Sequence, residues 1–79
     1  MITKEEVLAE LEMSDTVKLI MSDGYSFDIG VALNWIGGSE NRFMCDLIGN
    51  VEYSSKESCV NAVFAYLKKE NLEIEEIDS

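Results

Sequence analysis

Tyr25-Ser26-Phe27-Asp28-Ile29-Gly30-Val31-Ala32-Leu33-Asn34-Trp35 is the stretch that decides the fold. Every odd position carries a large apolar side chain. The even positions hold Ser26, Asp28, Gly30, Ala32 and Asn34. Side chains alternate across a strand, so period 2 marks one buried and one solvated face. The run therefore reads as a long half-buried strand.

Upstream, Val17, Leu19 and Met21 alternate in the same way. Facing residues on paired strands share a face, which tests the turn between the two runs. A two-residue Asp23-Gly24 turn would oppose Leu19 to Asp28 and mix core with solvent. A three-residue loop, Ser22-Asp23-Gly24, opposes Met21 to Tyr25, Leu19 to Phe27 and Val17 to Ile29. That loop class wants glycine at its last position, where Gly24 stands.

Downstream, Phe43, Cys45, Leu47, Val51 and Tyr53 form a third run, broken at Gly49-Asn50 by a bulge or turn. A five-residue loop over 37–41 opposes Trp35 to Phe43, Leu33 to Cys45 and Val31 to Leu47, with the second strand central. Residues 39–48 also fit a helix capped by Ser39 and stopped by Gly49. Both readings stand at this point.

Helices flank the strands. Thr3 and Glu6 form a capping box, with Ile2 and Val7 placed as a hydrophobic staple. Val7, Leu8 and Leu11 continue an apolar stripe that ends near Met13-Ser14-Asp15. A second capping box runs from Ser54 to Glu57. Cys59, Val60, Val63, Phe64 and Leu67 make the stripe of a second helix, Lys68-Lys69 suit its negative end, and Asn71 fits as its C-cap. For the tail, two readings stand: a short edge strand through Leu72 and Ile74, or a mobile acidic segment.

The expected fold is α+β, one domain over 1–79. Two layers are expected, an antiparallel three-stranded β-meander with two helices on one face, in the order α-β-β-β-α with a short C-terminal strand left open. Phe27, Ile29, Val31 and Leu33 should be buried against Leu11, Val63, Phe64 and Leu67. The other face, with Lys18, Ile20, Asp28, Ala32, Asn34, Met44 and Asp46, should be mostly solvated.

Composition narrows the function. Hydrophobic residues make up 47% of the chain, enough to drive collapse rather than disorder. No apolar run approaches the roughly 20 residues of a membrane span. No apolar signal core follows Met1-Ile2-Thr3-Lys4-Glu5-Glu6, and the reading is cytoplasmic. Cys45 and Cys59 form no C-x-x-C pair and read as reduced, buried thiols. There is no histidine, which removes the commonest general base and the Ser-His and Cys-His nucleophile pairs. No phosphate-binding or dinucleotide motif is present, and Gly37-Gly38 reads as a turn. The tail acids lack the spacing of a calcium loop. The chain is therefore expected to be no enzyme and to hold no cofactor and no metal.

Sixteen acids face six bases, for a net charge of −10. Such a field repels nucleic acid and anionic membranes and attracts basic protein surfaces. The acids gather at two places, and the candidate partner-binding residues are Glu5, Glu6, Glu10 and Glu12 in the first helix and Glu73, Glu75, Glu76 and Asp78 in the tail. A monomer and a homodimer are both compatible with the pattern.

A short N-terminal helix running into Asp15-Thr16-Val17-Lys18-Leu19, then a β-meander and a helix in a small acidic chain, resembles the phage-encoded anti-CRISPR proteins. The resemblance covers residues 1–20 and the general architecture. It implies a nuclease inhibitor of the host cytoplasm, since some members resemble nucleic acid and plug the DNA-binding cleft of an RNA-guided nuclease. In this chain the acids lie at both ends rather than in one loop, and no family site residue maps onto them. Bacterial toxin-immunity proteins are also small and acidic and match the same description. A small adaptor or regulatory protein is the non-inhibitor alternative.

Overall fold

Thr3 caps the first helix. Its Oγ1 accepts the Glu6 N–H at 3.3 Å, and its own N–H donates to Glu6 Oε1 at 3.1 Å, closing the expected capping box. The computed structural model describes residues 1–35 and 37–78. Helix α1 spans Lys4–Met13. A helix this short is marginal alone and holds its shape by docking its apolar side. Val7 and Leu11 are buried, and Ile2 packs against the same core.

Strands β1 (Thr16–Met21) and β2 (Ser26–Val31) form the first hairpin in the expected register, with Leu19 opposite Phe27 and Val17 opposite Ile29. The Met21 N–H donates to the Tyr25 carbonyl at 2.8 Å, so the loop has three residues. Gly24 closes it at φ +94°, a conformation that side chains resist.

The second hairpin departs from expectation. Strand β2 stops at Val31, and a 3-10 turn over Ala32–Asn34 follows. The Trp35 N–H donates to the Ala32 carbonyl and the Gly38 N–H to that of Trp35, so consecutive tight turns coil the chain out of the sheet. Strand β3 is only Phe43–Cys45, followed by a second 3-10 turn over Asp46–Ile48. Phe43 lies opposite Val31 and Cys45 opposite Ile29, a four-residue slide from the expected pairing. The slide is even, so odd residues keep their face. The helical alternative for 39–48 does not occur. Leu33, expected in the core, is 57% exposed, and Tyr25 is 69% exposed. Phe27 and Val31 are half-buried.

Helix α2 spans Lys56–Glu70. Its cap is Ser55 rather than Ser54: Ser55 Oγ accepts the Ser58 N–H at 3.1 Å and pairs with Ser58 Oγ at 2.9 Å. Ser58, at the third helical position, meets the cap's hydroxyl rather than its backbone N–H, so the reciprocal arm expected of Glu57 is not made. Asn71 takes the left-handed conformation at φ 56° and ends the helix as expected. The tail is an edge strand, β4 (Ile74–Asp78), paired antiparallel with β1. Sheet order is β3-β2-β1-β4, which makes β1 central as well as β2. The class is α+β, as expected.

Both helices cover the odd face. Val17, Leu19, Met21, Ile29 and Cys45 meet Val7, Leu11, Cys59, Val60, Val63 and Leu67 in one cluster, with Phe64 half-buried at its rim. A fully buried Leu19 or Ile29 contributes about 1.5–3 kcal/mol. The opposite face is less open than expected, for Ala32 and Met44 are buried. The coiled segment after β2 folds back there, tied by the Ala32 N–H to the Arg42 carbonyl at 2.8 Å and by Asn34 Nδ2 to Thr16 Oγ1.

Cys45 and Cys59 are both buried and unbridged. Loss of solvation pushes the Cys45 thiol up to about 12 and the Cys59 thiol up to about 11. Among the described residues no helix is long and apolar enough to cross a membrane.

Candidate functional site

Pairing of β4 with β1 brings the two ends of the chain together. Glu6 and Glu10 project one turn apart from α1. They line one groove with Glu75 and Glu76 of β4, floored by Ile2, Ala9 and Ile77. No basic side chain is among the described lining. The ladder irregularity between Ile20 and Met21 falls here: Ile20 faces Glu76 and Met21 faces Ile74, which leaves Glu75 as the extra residue of a bulge. Bulges at sheet edges re-aim side chains, and this one frees Glu75 from the ladder at the groove, while Glu76, opposite Ile20, borders it from the outer-face side of the strand.

The other expected site residues sit elsewhere. Glu5 is exposed in the first turn of α1, where the helix dipole favours its charge. Glu12 pairs with Lys56 at 2.8 Å and so is partly neutralised within the chain. Glu73 is exposed before β4, and its carbonyl accepts the Ser22 N–H at 3.1 Å. Asp78 stands opposite Lys18 on the outer sheet face.

That outer face carries a row of carboxylates, of which sequence reasoning assigned Asp78 a partner-binding role and placed Asp28 and Asp46 in solvent without one. Lys18 Nζ bonds Asp28 Oδ1 at 3.1 Å, and Asp78 flanks Lys18 on its other side. Asp46 lies beyond Asp28, accepting the Asp28 N–H on Oδ2 at 3.3 Å. Among the described residues the Lys18 ammonium pairs with Asp28 alone of this row of three acids.

Asp46 has a second task. Its Oδ1 accepts the Trp35 indole N–H at 2.6 Å, pinning that ring across the sheet. Trp35 is half-buried rather than a core residue of β2. It lines a cleft of about 580 Å³ with Asn34, Met44, Asn50 and Glu52, rimmed by Gly37 and Gly38. Sequence reasoning missed this cleft because it extended β2 through Trp35. The facing of Asp46 and Asp28 becomes visible only in the slid register.

No group of histidine, cysteine, aspartate or glutamate side chains with metal-holding geometry occurs among the described residues. Comparison with known proteins gives no match: no family model, no curated protein and no solved structure is similar to this chain.

Proposed function

We propose that this protein is a non-enzymatic acidic inhibitor that occupies the basic, nucleic-acid-binding surface of a partner protein. The observation that carries this reading is the groove between α1 and β4, which Glu6 and Glu10 from one end of the chain and Glu75 and Glu76 from the other line together. Carboxylates gathered without compensating bases present the charge that a Lys- and Arg-lined surface is built to hold. The outer-face row of Asp78, Asp28 and Asp46 extends that charge beyond the groove. The molecule measures 30 × 24 × 20 Å, small enough to enter a cleft that otherwise holds nucleic acid. The channel of an RNA-guided nuclease is such a cleft, and it is the target that the family resemblance implies.

Each exposed ion pair contributes roughly 0–1 kcal/mol, so affinity requires many pairs acting together. Their joint effect is fast, steered and salt-sensitive association. The same acids resist self-association through the β4 edge, because charged edge strands discourage pairing with their own kind. The test is competition. A partner captured from host extract at low salt should release this protein when its own nucleic acid is added. A ternary complex of protein, partner and nucleic acid would refute the inhibitor reading.

A further inference from the structure

We infer that the Trp35 cleft is a receptor for a single guanidinium group, an arginine side chain of the partner. The inference rests on the proposed acidic inhibitor role for the identity of the partner, but the cleft's chemistry can be tested without one.

The cleft offers acceptors and a π surface. Glu52 brings a carboxylate, and Asn50 brings an amide carbonyl. Asn34 has committed one amide N–H to Thr16 Oγ1, and its side-chain carbonyl accepts no hydrogen bond among the described residues. Trp35 has committed its only side-chain donor to Asp46. What remains of the indole is carbon and π density, which attracts cations, tryptophan most strongly. Met44 supplies a buried apolar wall. No lysine or arginine is among the described lining residues.

A carboxylate and amide carbonyls beside an aromatic ring favour a flat, donor-rich cation. Guanidinium carries five N–H donors in a fixed plane and stacks on aromatic rings, whereas an ammonium is a compact and strongly hydrated point charge. The ring is also held before any ligand arrives. Asp46 fixes Trp35 through one carboxylate oxygen while its other oxygen is anchored on the Asp28 N–H of β2. Pre-organisation of this kind reduces the entropy lost on binding. Tryptophan and arginine are also the residues that most often dominate interface energetics.

The experiment uses the free protein and a small probe, N-acetyl-arginine methylamide, with the neutral citrulline analogue as control. Trp35 is the only tryptophan, so its indole N–H resonance and its fluorescence report on the cleft alone. The arginine probe should shift the indole resonance in a saturable titration with a Kd on the order of 1 mM, as expected for one small cationic group. The citrulline analogue should bind much more weakly. Glu52→Gln should weaken arginine binding roughly three- to tenfold while leaving the backbone spectrum unchanged elsewhere. Trp35→Phe, followed through the Asn50 amide, should weaken it less than Trp35→Ala. Equal shifts with the two probes, no saturable shift, or unchanged affinity in Glu52→Gln would overturn the inference. Each of these can occur while a partner still competes with nucleic acid, and a ternary complex can occur while the probe still binds. The two proposals therefore fail separately.

Discussion

Gly30 should tolerate alanine poorly, for a reason unrelated to backbone freedom. Its φ lies outside the left-handed region, so alanine could adopt it. The obstacle is contact. A Cβ at Gly30 would fall against the Asp15 carbonyl oxygen and lie 2.6 Å from Thr16 Cα and 2.7 Å from Thr16 Oγ1. The first two neighbours are backbone, so the junction of α1 and β1 must move. The same carbonyl accepts the Val31 N–H at 3.0 Å, and that bond sits where the displacement occurs. Overpacking costs about 1–3 kcal/mol and a weakened hydrogen bond about 1 kcal/mol. Lower unfolded-state entropy offsets about 0.4–1 kcal/mol. The net loss is about 1–3.5 kcal/mol, a large share of the roughly 3–5 kcal/mol that a domain of this size retains. Gly24 is the control. A Cβ there meets nothing within 4 Å, so Gly24→Ala loses only its φ +94° preference, about 1 kcal/mol. Urea unfolding followed by far-ultraviolet circular dichroism measures both. Gly30→Ala should have the lower midpoint; the reverse order, or an unchanged Gly30→Ala midpoint, would refute the close packing of Asp15 over β2.

Leu19→Ala removes a fully buried side chain from a central strand and should cost about 2–5 kcal/mol, leaving the chain near its unfolding threshold in a thermal melt. Thr3→Ala removes the hydroxyl that accepts the Glu6 N–H while keeping the backbone N–H that donates to Glu6, and should cost about 1 kcal/mol, with faster amide exchange confined to the first turn of α1. Burial raises the thiols from 9.0 to about 12 at Cys45 and about 11 at Cys59, so the folded chain keeps protons that the unfolded chain releases. Stability is therefore full below about pH 9 and falls as pH rises from there, and the Cys45→Ala, Cys59→Ala double variant should flatten the decline in urea midpoint. The same burial predicts that both cysteines react with a thiol reagent only at the rate of unfolding; rapid labelling of the native protein would contradict it.

The legible parts of the fold are those fixed by neighbours in the chain. Thr3 with Glu6, the Ser22-Asp23-Gly24 loop and the Asn71 cap each settle within a few residues. The second hairpin is different. Odd positions from Tyr25 to Trp35 alternate throughout, yet β2 ends at Val31 because tight turns at Ala32 and Trp35 take the chain out of the sheet. Alternation reports which face a residue would take in a strand, not where the strand ends. The acids of the site were legible as charge, whereas their convergence depends on β4 choosing β1 as its partner. Trp35 was hidden by the same over-extended strand, since a tryptophan at an odd position reads as core until the chain is seen to turn before it.

The central claim is that the α1–β4 groove binds a basic surface through charge. The most direct measurement is the Kd for the captured partner at about 50 mM and about 500 mM salt, for the native protein and for a variant carrying Glu6→Gln, Glu10→Gln, Glu75→Gln and Glu76→Gln. Glutamine preserves the capping box at Glu6, so the variant isolates charge from folding. The native protein should lose affinity steeply with salt, and the variant should bind weakly at both concentrations with a shallower dependence. Equal affinity at the two salt concentrations, or a variant that binds as tightly as the native protein, would contradict the account.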